Sequence, residues 1–153
     1  KRHRDNMFGE NDSKPISIII TTLAARAYNG ELNLEEAIGN LLENMPKYIN
    51  TSFPRVPNPV NPNEDFTDRW ETREGKKLDL EGNFKNWLLQ AKVDFYNLLK
   101  TASYETASLI LNNKFSLKID NSFLNKKFNL KNDKRSIATS LPENPPKPWG
   151  DAY

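Results

Sequence analysis

A mainly α-helical lobe carrying a proline-rich extended loop is the fold this sequence predicts, and three observations predict it. Apolar residues recur at three- and four-residue steps along residues 16–27, 34–45 and 84–99, the spacing that lines one face of an α-helix. Helix-starting residues stand ahead of the first two, Pro15 and Asn33, because a first-turn proline needs no donor and an asparagine side chain accepts from an orphan N–H. Between the second and third runs, Pro57, Pro59 and Pro62 fix φ and remove backbone donors. Residues 56–62 are therefore expected as a rigid extended rod.

Residues 1–8, Lys-Arg-His-Arg-Asp-Asn-Met-Phe, have no cap ahead of them and resemble the last two turns of a helix begun upstream. The sequence is therefore expected to be a fragment. The next helix is expected from Pro15, with Ser13 capping it, to Tyr28, where Gly30 is free to adopt a positive φ. Its apolar face is Ile16, Ile19, Ile20, Leu23, Ala24 and Ala27, widened by Ile18. A second helix is expected from Leu34 towards Ile49, with Leu34, Ala37, Ile38, Leu41, Leu42 and Met45 on one stripe and Pro46 ending or kinking it. Asn61 or Asn63 is expected to cap a short helix over residues 64–70, and residues 71–80 are polar. The strongest helix is expected over residues 81–100, its stripe of Phe84, Trp87, Leu88, Ala91, Phe95, Leu98 and Leu99 facing the core. A short helix over residues 106–112 follows. Beyond Phe115 the pattern dissolves, and residues 141–149 are proline-rich. The domain is thus expected over residues 1–113, with a basic and proline-rich tail over residues 114–153.

Composition narrows the function. A chain of 153 residues with 37% apolar residues and a mean hydropathy of −0.76 suits one domain with solvated tails or an absent packing partner. The net charge of +2 is too small to imply nucleic-acid binding by the whole chain. Lys118, Lys126, Lys127, Lys131, Lys134 and Arg135 are opposed only by Asp120 and Asp133. That cluster reads first as a solvated tail, with a polyanion contact as the alternative. Without cysteine there is no disulfide, thiolate metal site or thiol nucleophile, which suits a reducing cytoplasm. No apolar run is long enough for a membrane span.

Chemistry-bearing motifs are absent. There is no glycine-rich phosphate loop, His-Glu-x-x-His pair or nucleophile elbow, and no residue is assigned a catalytic or metal-ligating role. The single histidine, His3, is expected at the surface. Asp79 and Glu81 are spaced like a two-metal pair, but at a helix start such acids complement the dipole.

The order of the pieces resembles a known family. A helix ending in Lys1-Arg2-His3-Arg4-Asp5, then the run from Lys14-Pro15 to Leu23-Ala24, the proline rod and the Trp87 helix look like the C-terminal helical lobe of the oligoadenylate synthetase and cGAS/DncV-like nucleotidyltransferases. The bacterial branch, which makes cyclic or linear oligonucleotide messengers in antiphage defence, is the most similar. The likeness covers residues 1–111. It implies the C-terminal half of a bilobed polymerase-β-like enzyme whose N-terminal catalytic lobe, with its Mg²⁺ ligands, lies outside this sequence. The fragment alone would then be inactive. The implied substrates are nucleoside triphosphates, with a nucleic acid or protein as activator and no membrane partner. By the same resemblance Lys1 and Ser17 face the donor triphosphate, Arg4 and Thr21 line the cleft, and Asn61, Asn63 or Asp65 read a base edge. The competing expectation, from the absent carboxylates, is a non-enzymatic helical interaction domain.

Overall fold

The computed structural model describes residues 1–120, 122 and 126, so most of the basic cluster and the whole of residues 141–149 lie outside the described residues. Among the described residues the chain is mainly helical and forms no strand beyond one bridge between Pro57 and Asp65.

Helix α1 (Arg2–Phe8) leads through a turn to α2 (Ser17–Ala27). Ser13 does not cap α2. Its own N–H donates to Asn11 Oδ1 at 2.9 Å, and the residue before the helix is Ile16, extended at φ −72° and ψ 145° with no side-chain cap. The reason lies in Pro15, which disfavours helical geometry in the residue before it and whose carbonyl is held by Arg4 at 3.0 Å. Helix α3 (Leu34–Asn44) starts at Asn33, whose side chain accepts from Glu36 N–H at 2.8 Å as expected. It does not continue to Ile49. Pro46 converts it into a short 3₁₀ turn over Met45–Tyr48.

The proline segment is not a free rod. Val56 accepts from Phe66 N–H at 3.0 Å and Asn58 N–H donates to Glu64 at 2.8 Å, so residues 55–58 run back beside residues 64–66. Asn61 and Asn63 cap nothing. The carbonyl of Asn61 closes the turn by accepting from Glu64 N–H at 2.9 Å. Two single-turn helices follow, α4 (Asp68–Glu71) and α5 (Arg73–Lys77), the second capped by Thr72 Oγ1 on Gly75 N–H at 2.9 Å. Gly75 lies so close to α4 that a β-carbon there would sit 1.7 Å from the Arg69 carbonyl oxygen.

Helix α6 (Leu80–Lys100) is the axis of the fold and α7 (Tyr104–Phe115), begun by Ser103, returns along it. The core gathers Ile19 and Leu23 of α2, Met45, Val56, Trp70 and the α6 face of Phe84, Trp87, Leu88 and Ala91. Each fully buried Leu or Phe there contributes about 2–3 kcal/mol. Trp70, Phe84 and Trp87 stack in tilted pairs with centroids 5.6 and 5.8 Å apart. The second half of the α6 stripe is less buried than its pattern implies, with Phe95, Leu98 and Leu99 only half-buried.

Candidate functional site

Arg4 is the residue on which the start of α2 is built. Its side chain is buried, and its Nη1 donates to the Pro15 carbonyl at 3.0 Å and to Ser17 Oγ at 2.7 Å. Nε and Nη2 hold the Asp5 carboxylate, Nε at 2.9 Å. That hydrogen bond keeps the exposed Asp5 carboxyl below its ordinary range. A guanidinium has donors only, so Ser17 Oγ must accept from it and direct its own hydrogen elsewhere.

Ser17 is the first residue of α2, where the first-turn N–H groups have no partner within the helix, and Ile16 supplies no side-chain cap. The hydroxyl hydrogen and the orphan amides make this helix start favourable to an anion, while the guanidinium behind them is already paired with Asp5. Thr21, one turn on and exposed, donates its hydroxyl to the Ser17 and Ile18 carbonyls at 2.9 and 3.2 Å, which leaves it acceptor capacity rather than a donor. Lys1 immediately precedes α1 and is exposed. Three residues before Arg4, it falls on the same side of the helix.

The loop residues named from the sequence fall elsewhere. Arg26, near the end of α2, donates to the Pro57 carbonyl at 2.7 Å and anchors the loop there. Nine residues separate Ser17 from Arg26, roughly 13 Å along the axis. Asn61 and Asn63 are exposed at the turn. Asp65 is turned inward: Oδ2 accepts from Arg55 N–H at 2.7 Å, and Oδ1 from Val56 N–H at 3.0 Å and from Thr67 N–H and Oγ1, both at 2.8 Å. Burial alone pushes this carboxyl up, and the bonds from Thr67, Arg55 and Val56 outweigh it and hold it below its usual value. Its oxygens are committed to the loop. The structure thus brings Arg4, Ser17 and Thr21 together, adds Lys1 on the Arg4 side, and ties the loop that carries Asn61 and Asn63 to the other end of α2 through Arg26 and Pro57.

His3 departs from the surface position expected for it. It is buried, its Nε2 lies 3.0 Å from Asp94 Oδ2 of α6, and its ring packs on Phe115 at 5.2 Å. The signal in the sequence was Asp94 itself, a carboxylate seven residues after Trp87 and so on the apolar stripe. Arg55 also escaped notice: it forks onto Glu81 at 2.7 and 2.8 Å and lies over the Trp70 ring at 5.1 Å. The Arg55 bond, against the opposing effect of burial and with help from Lys85, pulls the Glu81 carboxyl down to about 2. Glu81 therefore serves in an ion-pair network. Among the described residues no group of three or more His, Asp or Glu side chains could hold a metal ion.

No protein-family model matches the chain. Against curated proteins, it is 30% identical over 120 residues to a c-di-GMP synthase of Roseivirga ehrenbergii. The match covers 75% of this chain and 31% of that protein, so the chain spans about a third of the length of the relative it matches. The likeness is to part of a cyclic dinucleotide synthase. None of the described helices is long and apolar enough to cross a membrane.

Proposed function

We propose that the helices α1 to α7 are the C-terminal helical lobe of a cytoplasmic, bacterial-type cGAS/DncV-like nucleotidyltransferase, the lobe expected over residues 1–113 extending to Phe115, where α7 ends, with an appended tail after it. The full-length protein would join nucleoside triphosphates into a cyclic or linear oligonucleotide messenger in antiphage defence, under control of a nucleic acid or protein activator. The observation that carries this reading is the match to a c-di-GMP synthase over most of the chain.

In the reaction a ribose hydroxyl attacks an α-phosphate, a new phosphodiester forms and pyrophosphate leaves. Mg²⁺, when bound, stabilises the entering and leaving oxygens. The described residues offer it no ligand set, so its carboxylates are assigned to the N-terminal catalytic lobe. The part of this lobe is to hold phosphate. Ser17 donates its hydroxyl hydrogen and the α2 amides join it, Arg4 fixes the serine from behind, and the Lys1 ammonium adds a mobile positive charge. Asn61 and Asn63 are assigned to the edge of a base, while the committed oxygens of Asp65 shape the loop that carries them.

The test uses the full-length protein with Mg²⁺ and either GTP or all four nucleoside triphosphates, products being resolved by liquid chromatography and mass spectrometry. A cyclic or linear oligonucleotide is expected. Complete absence of product, with DNA, RNA or cell extract added as activator, overturns the reading. Ser17→Ala is expected to lower kcat/KM about tenfold or more, since it removes one hydrogen bond to a charged group, and to cost about 1 kcal/mol of stability because the buried Arg4 guanidinium loses one acceptor.

A further inference from the structure

Of all the asparagines in the chain, Asn29 alone is followed by glycine. It stands in the connection between α2 and α3, outside both helices, and is exposed. Asparagine is a thermally labile residue, because the backbone nitrogen of the residue after it can attack its side-chain carbonyl carbon. A side chain on that following residue crowds the attack, and glycine has none.

The fold keeps this pair open. Gly30 has φ 78°, and a β-carbon built there would meet no atom within 4 Å. Its N–H donates to no backbone carbonyl among the described residues. The three asparagines that follow are placed differently. Asn33 has its side chain engaged as the cap of α3, and Asn40 and Asn44 lie within that helix, where the ladder of backbone bonds fixes the amides.

The same connection depends on one carboxylate. Glu31 accepts from the Asn29 N–H at 3.2 Å and from Asn40 Nδ2 at 3.0 Å, which ties the turn to α3. A negative charge created at Asn29 would stand two residues from it.

We propose that Asn29 is a site of spontaneous deamidation whose products loosen the junction between α2 and α3. The Gly30 nitrogen bonds to Asn29 Cγ, the bond from Cγ to the amide nitrogen breaks, and ammonia leaves with the Gly30 proton. Water then opens the five-membered ring at either carbonyl and gives aspartate or isoaspartate. Both products carry a carboxylate beside Glu31, and isoaspartate also lengthens the backbone by one carbon. The inference is independent of the nucleotide chemistry.

The full-length protein is aged in warm, mildly alkaline heavy-oxygen water, which labels acid formed during the incubation, and is then digested with trypsin. The peptide over residues 27–47 carries Asn33, Asn40 and Asn44 as internal controls, and fragmentation by mass spectrometry assigns each site. Asn29 is expected to convert about tenfold faster than any of the three, since only its neighbour lacks a side chain. Gly30→Ala should slow the conversion by a similar factor, and Asn29→Gln should abolish acid formation there. Circular dichroism establishes that the variants are folded, and if Gly30→Ala is not, the comparison with the three internal asparagines decides. The deamidated fraction, separated by ion exchange, should melt about 1–3 °C below the fresh protein, the scale of one exposed like-charge contact. Conversion at Asn29 no faster than at Asn33, Asn40 and Asn44 overturns the proposal. So does a deamidated fraction that melts with the fresh protein.

Discussion

The loop face, where residues 55–67 fold against α2 and α6, and the α1–α7 face, where His3 meets Asp94, differ in how their central buried carboxylates are held, although each also has a buried nitrogen without a partner among the described residues, Arg55 Nε on the first and His3 Nδ1 on the second. On the loop face the Asp65 carboxylate receives four hydrogen bonds, three of them from backbone amides. Across the other face, one ring nitrogen of His3 and the indole N–H of Trp87 make none among the described residues. A polar group with all its bonds made inside the fold has no capacity left for a ligand. The lesson concerns the prolines: they draw the eye, yet the loop they stiffen spends its buried carboxylate on its own backbone.

The largest test of that contrast removes the carboxylate. Asp65→Ala leaves the amides of Arg55, Val56 and Thr67 without their acceptor and is expected to cost about 3–5 kcal/mol, from several unsatisfied donors at about 1–3 kcal/mol each. Asn61→Ala and Asn63→Ala, at the exposed tip, should stay within about 0.5 kcal/mol. Urea denaturation of the full-length protein measures all three. A mild Asp65→Ala would mean that the prolines alone hold the loop.

Gly75 comes next. A methyl group there would meet the backbone carbonyl of Arg69 at 1.7 Å, whereas at Gly82 it would meet only the carboxylate of Asp79, an exposed side chain. Gly75→Ala is expected to destabilise by about 2 kcal/mol or more through overpacking against rigid backbone. Gly82→Ala should be nearly neutral or slightly stabilising, since alanine is the better helix former and Asp79 can swing away. Equal effects at the two positions would show that α4 yields as easily as a side chain.

The other face is sampled by Asp94→Asn. An asparagine keeps the shape and one acceptor beside His3 but loses the charge that also faces Lys114 at 3.9 Å. A loss of about 1–2 kcal/mol is expected, in keeping with a buried charge-assisted bond, and thermal denaturation reads it. A neutral result would leave the His3–Asp94 contact without a role in joining α1 to α6.

Much of this fold was legible in the sequence, and the illegible parts share a cause. Asn33, the Ile19, Ile20, Leu23 and Ala27 face of α2 and the buried run of Phe84, Trp87, Leu88 and Ala91 followed from local spacing, because a helix face is a property of neighbours three and four apart, whereas Ile16, Ile18 and Leu34, expected on the apolar faces, are exposed. His3 could not be placed in that way, since its partner Asp94 is 91 residues distant. Asp65 was open to misreading for a different reason: three of the groups it binds are backbone amides, which leave no mark in a side-chain pattern. At the candidate site the sequence placed the helix start at Pro15 under a Ser13 cap, two residues ahead of Ser17, where it begins uncapped, and Ser17 and Arg4 were singled out by resemblance rather than by spacing. That Arg4 acts by orienting Ser17 required the fold of the intervening turn.

The smallest expected effect belongs to pH, and it probes the loop face. Glu81 titrates near 2 in the folded chain, against an ordinary 4.5, because Arg55 bonds its carboxylate. A depressed carboxyl stabilises the fold above its unfolded value and loses that contribution as pH falls through the folded one. The window is therefore about pH 4.5 down to 2, and Asp65, shifted the same way, reinforces it. Glu81 is partly exposed, so screening reduces its share to about 1 kcal/mol. Melting temperatures from pH 6 to pH 2.5 should fall more steeply for the unaltered protein than for Glu81→Gln, which has no proton to take up at this position. Parallel profiles would mean that the Arg55 fork adds nothing beyond its neutral counterpart, and that the loop is held by the Asp65 amides alone.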